Sequence, residues 1–262
     1  MRDRLPETIG FGVKMRNAEA EGHARGASRL KEVLREMRRI AGTGDARAKI
    51  EGMKRFGIRP ERAIGLTTPQ LRTIARCWLP DQALAEALWD TGIHDARILA
   101  SLVGDPAAIA RATMERWARD FASWDVCDAC CCNLFDRSPH AWKLIGRWAR
   151  SNDEFVRRAA FATIAGLAVH DKAAEDRVFL DALPLIERYA FDDRNFVKKA
   201  VNWALRNIGK RNPALRAEAM ACAERVRAQG TRAARWIAAD ALRELKAKDA
   251  NRVKPIALPM RS

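Results

Sequence analysis

Histidine is scarce in this chain. Its four copies, His23, His94, His140 and His170, stand far apart and give no metal-ligand spacing. There is no glycine-rich phosphate loop, no His-Glu-x-x-His helix and no Gly-x-Ser-x-Gly elbow. These absences argue against a metal-dependent or nucleotide-hydrolysing enzyme, and neither metal nor cofactor is expected. Strand signals are missing too: no segment alternates β-branched and polar residues, and no Asn-Gly or Asp-Gly step marks a hairpin. No apolar run approaches the ~20 residues of a membrane span. Residues 1–27 lack the continuous apolar stretch of a secretory signal and read as a poorly ordered leader. No membrane partner is expected.

Cysteine is present but crowded. Of Cys77, Cys127, Cys130, Cys131, Cys132 and Cys222, four fall within about one and a half helical turns, too close for all to find disulfide geometry. A reduced, intracellular protein fits that distribution. Cys127-x-x-Cys130 has a metal-like spacing, but no second pair completes a site, so the cysteines read as small apolar residues at close helix contacts.

What the chain has in excess is positive charge. Lys and Arg number 48 against 33 Asp and Glu, a formal charge of +15. A polyanion, nucleic acid above all, is the first partner this suggests; a solvated surface is the alternative.

The punctuation is helical throughout. Ser28 opens an amphipathic stretch through Leu30, Val33, Met37 and Ile40, and Asp45 can cap a helix ended by Gly57. Thr68-Pro69, Asp105-Pro106, Ser138-Pro139 and Asn212-Pro213 each look like an N-cap followed by proline in the first turn. Helices are expected near 82–90, 94–103, 107–119, 124–135, 140–150, 154–168, 175–190, 195–209, 214–228 and 232–247. Residues 28–248 then form one all-α domain, with a loose tail over 249–262.

Two segments give the architecture. Glu154-Phe155-Val156-Arg157-Arg158-Ala159-Ala160 and Asn195-Phe196-Val197-Lys198-Lys199-Ala200-Val201 align without a gap at a spacing of 41 residues. A period of that length without strands predicts antiparallel helix pairs stacked as a HEAT-like, right-handed solenoid with a concave basic groove. Ala241-Leu242-Arg243 echoes Ala204-Leu205-Arg206 at a spacing of 37, a weaker third copy.

On that scaffold a few side chains stand out. Trp124 and Asp128, four apart, project from one helix face. Ser123 is a candidate cap that places Asp125 in the first turn, where the helix dipole favours a carboxylate. Asp128 is either a functional carboxylate or one half of an ion pair with a neighbouring arginine. Trp203, near Lys199 and Arg206, either packs on their aliphatic stems or offers its ring to a cation or a base. The apolar pattern sets Arg158 and Lys199 beside the concave face, while Arg157 and Lys198 read equally as solvated cations. The six remaining tryptophans, Trp236 among them, fall on apolar stripes and are expected in the core.

Taken together, Ser123-Trp124-Asp125-Val126-Cys127-Asp128, Val156-Arg157-Arg158-Ala159-Ala160 and Lys198-Lys199-Ala200-Val201-Asn202-Trp203-Ala204-Leu205-Arg206 resemble the AlkD-like DNA alkylation repair enzymes, HEAT-repeat DNA glycosylases. The resemblance covers roughly residues 45–245. Its well-studied members carry Trp-Trp-Asp where this chain has Ser123-Trp124-Asp125. The resemblance implies a monofunctional glycosylase that removes N3- or N7-alkylated purines from double-stranded DNA, with no cofactor. A monomer without an obligate protein partner is expected, cytoplasmic and at the nucleoid when on DNA. By motif, its functional positions fall on Trp124, Asp128, Arg158 and Trp203, with Trp124, Asp128 and Trp203 catalytic; Arg158 and the neighbouring cations Lys199, Arg206, Arg157 and Lys198 are expected to contact DNA. A non-catalytic nucleic-acid scaffold and a protein-binding solenoid are the alternatives.

Overall fold

Helix follows helix through α1 (28–41), α2 (Ala46–Lys54), α3 (Thr68–Ala75), α4 (Gln82–Asp90), α5 (His94–Val103) and α6 (Arg111–Arg119). Next come α7 (Trp124–Asn133), a 3-10 turn at Phe135–Arg137, α8 (Ala141–Ala149), α9 (Glu154–His170), α10 (Asp176–Leu180) and α11 (Leu183–Tyr189). The last three are α12 (Asn195–Lys210), α13 (Pro213–Ala228) and α14 (Arg232–Arg252). This computed structural model describes residues 28–252, and the expected leader and most of the expected tail lie outside the described residues. No strand occurs among the described residues. Where the sequence reads as one array, the chain divides into two compact units, the first ending at Trp117 and the second beginning at Ala118.

Capping explains where the predicted boundaries hold and where they move. Asp45 accepts from the Ala48 N–H at 2.8 Å, and Asn212 accepts from the Leu215 N–H at 2.8 Å with Pro213 behind it. The cap of α3, however, is Thr67 rather than Thr68. Its hydroxyl accepts from the Gln70 N–H at 3.4 Å, and Gln70 Oε1 accepts from the Thr67 N–H at 2.9 Å, a reciprocal box that Thr68 is one residue too late to form. Asp105 and Ser138 instead accept from the N–H two residues on, Ala107 and His140, and close turns. The helices after them therefore start late, at Arg111 and Ala141. The expected helix 175–190 is two, because Pro184 suits only a first turn. Helix α14 runs past Ala250, since no breaker comes before Pro255.

In the first unit, α4 and α5 pack on each other and α3 on α5 around Leu71, Leu84, Leu88 and Leu99. Trp89 stacks on Trp117 with ring centroids 4.2 Å apart. Buried Asp95 accepts from the backbone of Ile64, Gly65 and Leu66, fixing the segment before α3.

The second unit carries the repeats. Helices α7, α9, α12 and α14 pack side by side in that order, with α8 against α9 and α13 against α12 and α14. Short links make α8/α9 and α13/α14 antiparallel pairs. The 41-residue repeat is realised in space: Phe155 and Phe196 lie 5.6 Å apart, and one residue off that step Asn207 Nδ2 donates to Ala165 O at 3.1 Å. The α12-to-α14 step instead runs at 38, as the Asn202–Asp240 and Arg206–Glu244 contacts require, one more than the sequence echo.

Close approach of α7 and α9 is where the crowded cysteines go. Cys127, Cys131 and Cys132 point their thiols at Phe155 O, Ala159 O and Ala162 O, at 3.6, 3.6 and 3.8 Å. All six cysteines are free, and burial pushes the Cys127 and Cys132 thiols well above the ordinary value, so they pack as neutral groups. A comparable constraint sits at Gly209 on α12. A Cβ there would lie 2.8 Å from Leu245 Cδ2 and 3.0 Å from Ala219 Cβ. We expect Gly209→Ala to destabilise the second unit by about 1–3 kcal/mol, since helices already in contact must separate. Urea unfolding monitored by circular dichroism checks this; an unchanged midpoint would show that the α12–α13–α14 contact yields freely.

Candidate nucleic-acid interface

Helices placed side by side bring equivalent turns into register, and one row of side chains crosses all four. A cavity of ≈ 430 Å³ is lined by Asp128 from α7, Arg158 from α9, Lys199, Asn202, Trp203 and Arg206 from α12, and Trp236 and Asp240 from α14. The 41-residue repeat puts Arg158 and Lys199 at equivalent positions.

Arg158 is the most constrained of these. Its Nε and Nη2 donate to Asp128 Oδ1 and Oδ2 at 2.8 and 2.7 Å, and its Nη1 donates to Phe196 O at 2.5 Å. One guanidinium thereby joins α7, α9 and the first turn of α12. Both line the cavity, but the Asp128 side chain keeps 19% of its surface exposed and Arg158 only 6%, so the anion is the more accessible of the two. Burial pushes the Asp128 carboxyl above the ordinary aspartate value, with Asp125 adding to the rise and the Arg158 charge opposing it. Burial also opposes the charge on Arg158, but Asp128 outweighs it and raises the guanidinium further.

A second set of charges faces the first. Asn202 Nδ2 donates to Asp240 Oδ2 at 2.6 Å, Arg206 lies 3.7 Å from the same carboxylate, and Glu244 pairs with both Arg206 and Lys210. Those partners hold Glu244 below the ordinary glutamate value despite the opposing effect of burial. Most of the charges at this cavity therefore stand in matched pairs. Lys199 is exposed and forms no ion pair among the described residues.

The expected site residues separate on this map. Asp128, Trp203, Arg158, Lys199 and Arg206 share the cavity. Trp124 is half-buried one turn before Asp128 and does not line it. Arg157, expected at DNA or in solvent, is an interior group. It donates to Ala149 O at 3.0 Å, pairs with Asp192 at 2.5 Å and lies 4.9 Å over the Tyr189 ring. Adjacent helical residues diverge by about 100°, and α9 is covered on that side as well. Arg158, expected to grip phosphate, has its donors committed to Asp128 and Phe196. Lys198 rests 5.7 Å from the Trp236 ring and 3.6 Å from Asp193.

Expected in the core, Trp236 is 40% exposed and belongs to the cavity. A signal for it was available, because Trp236-x-x-x-Asp240 has the same spacing as Trp124-x-x-x-Asp128.

A family model described as DNA alkylation repair enzyme matches residues 36–253, which include every residue of the cavity. The chain belongs to the DNA alkylation repair enzyme family. Among solved structures, one reported as "A new family of proteins related to the HEAT-like repeat DNA glycosylases with affinity for branched DNA structures" shares its fold. The TM-score is 0.65 at 23% identity, over 75% of this chain and 82% of that one. No curated protein matches. The HEAT-like, all-helical class expected from the repeat spacing is therefore that of the DNA alkylation repair fold.

In this family member the Asp128–Arg158 pair is buried enough that removing one partner strands the other. Asp128→Ala should cost about 3–5 kcal/mol of stability, and the double variant Asp128→Leu/Arg158→Met distinctly less. Denaturant melts of the three proteins decide it. Equal losses in the single and double variants would mean the two groups do not act as a pair.

Proposed function

We propose that this protein is a DNA repair glycosylase that hydrolyses the N-glycosidic bond of cationic alkylpurines in duplex DNA. The observation carrying this reading is a fixed carboxylate, Asp128, on the wall of a cavity that also holds a tryptophan face, Trp203. An N3- or N7-alkylated purine is positively charged and already a good leaving group. As its bond to the sugar breaks, positive charge builds on C1′ and the ring oxygen, as in other glycoside cleavages. Asp128 stabilises that charge and orients the attacking water, and Arg158 holds the carboxylate so that no reorganisation is needed at the moment of reaction. Trp203 meets the cationic base or its sugar with its ring face. Lys199 takes a flanking phosphate. The cavity is open rather than a sealed base pocket, which suits a lesion held at the surface of the duplex rather than one buried deep in the protein.

Asp128→Asn keeps the shape and one of the two hydrogen bonds from Arg158, since the amide nitrogen cannot accept, and it removes the charge. Single-turnover release of N7-methylguanine or N3-methyladenine, with chelator present, should fall by about 10²–10³. Wild-type release that the substitution leaves untouched would refute the role given to Asp128. A second reading, binding to branched DNA without excision, is favoured by the description of the solved structural relative. It would be preferred if the wild type released no base from methylated DNA yet bound a four-way junction.

A further inference from the structure

Trp236 stands where the helical ladder has no need of an aromatic. The step from α12 to α14 pairs Asn202 with Asp240 and Arg206 with Glu244, both 38 residues apart, and by the same step Lys198 corresponds to Trp236. The 41-residue step links Lys198 back to Arg157 on α9. A position that carries a cation on two helices therefore carries an indole on the third. That indole is not spent on packing: it keeps 40% of its surface exposed, whereas Trp89, Trp117 and Trp148 are buried. Lys198 Nζ sits 5.7 Å from its ring, Lys199 is exposed nearby on the same cavity wall, and Asp240 one turn along is tied to Asn202. An exposed indole with a lysine against its ring and a second lysine on the same cavity wall is an arrangement that can stack a nucleobase while its phosphate is neutralised, and stacking of that kind accepts any base.

We propose that Trp236 is a stacking platform for an unpaired nucleobase, with Lys199 meeting the adjoining phosphate, so that the cavity prefers duplexes in which one base has left the helix. This rests on the DNA-binding part of the function proposed above and is independent of base excision. Trp236 is a positioning residue in this account. It gives the site a preference for locally opened DNA, whatever alkyl group is present, because a paired base already has both faces stacked within the helix and offers none to the ring.

The test compares two labelled DNAs by fluorescence anisotropy: a fully paired duplex and the same duplex carrying one unpaired adenine. The wild type should bind the bulged DNA about tenfold more tightly (~1.4 kcal/mol). Trp236→Ala should lose that preference while binding the paired duplex within about twofold of wild type. Trp236→Phe should keep most of it, since a smaller ring still stacks. Indole quenching on binding the bulged DNA should be larger in the wild type than in Trp236→Phe. Equal wild-type affinity for the two DNAs, or equal losses on both DNAs in Trp236→Ala, would overturn the platform while leaving DNA binding intact. No binding to either DNA would overturn both the platform and the DNA-binding reading.

Discussion

Arg158 and Asp128 meet through two parallel hydrogen bonds, and a third bond from the same guanidinium reaches the backbone of Phe196. Three helices are thereby held at one point. A planar fork is needed for this: a lysine at 158 would supply one point charge and no fixed angle between α7 and α12. The pair also sets what the cavity presents. Because Arg158 is the more buried partner, the carboxylate is the more accessible of the two, held by two hydrogen bonds. Replacing the pair with apolar side chains would remove a desolvation cost, so stability alone does not account for it.

The rest of the cavity follows the same logic. Arg206 and Lys210 share Glu244, Asn202 and Arg206 hold Asp240, and Lys199 is the exposed cation in the row. Although the chain carries a formal charge of +15, few cations at this cavity are left without an acidic or aromatic partner. Most of those near the cavity fix carboxylates or lie against rings. Long-range attraction to a polyanion comes from the whole charge distribution, while the geometry of the site comes from pairs.

How much of this was legible in the sequence depends on the interaction involved. The all-α class and the register of α9 on α12 were readable because a 41-residue repeat leaves its mark in every equivalent turn. Asp128, Trp203, Lys199 and Arg206 were readable as a group because helical spacing puts each on the same side of its helix. Arg157 was not, since sequence spacing fixes the angle to Arg158 but not what covers each side; Asp192 and Tyr189, on distant segments, decide that. Trp236 was assigned to the core because an apolar stripe looks alike whether or not another helix covers it, and α14 is left open on that side at the cavity. The α3 cap slipped by one residue because two threonines stand in tandem and only Thr67 reaches Gln70.

In the proposed reaction Asp128 acts only as a carboxylate, and its burial sets where its ionisation falls. A carboxyl held above the ordinary aspartate value takes up its proton at a higher pH, so activity present at neutral pH should be lost as pH falls through that raised value. The direct measurement is single-turnover release of N7-methylguanine against pH, corrected for spontaneous release, alongside carbon-13 NMR titration of the Asp128 carboxyl. The account predicts one shared midpoint, above 3.8, the ordinary aspartate value. A release rate that stays flat while the Asp128 resonance titrates would contradict it.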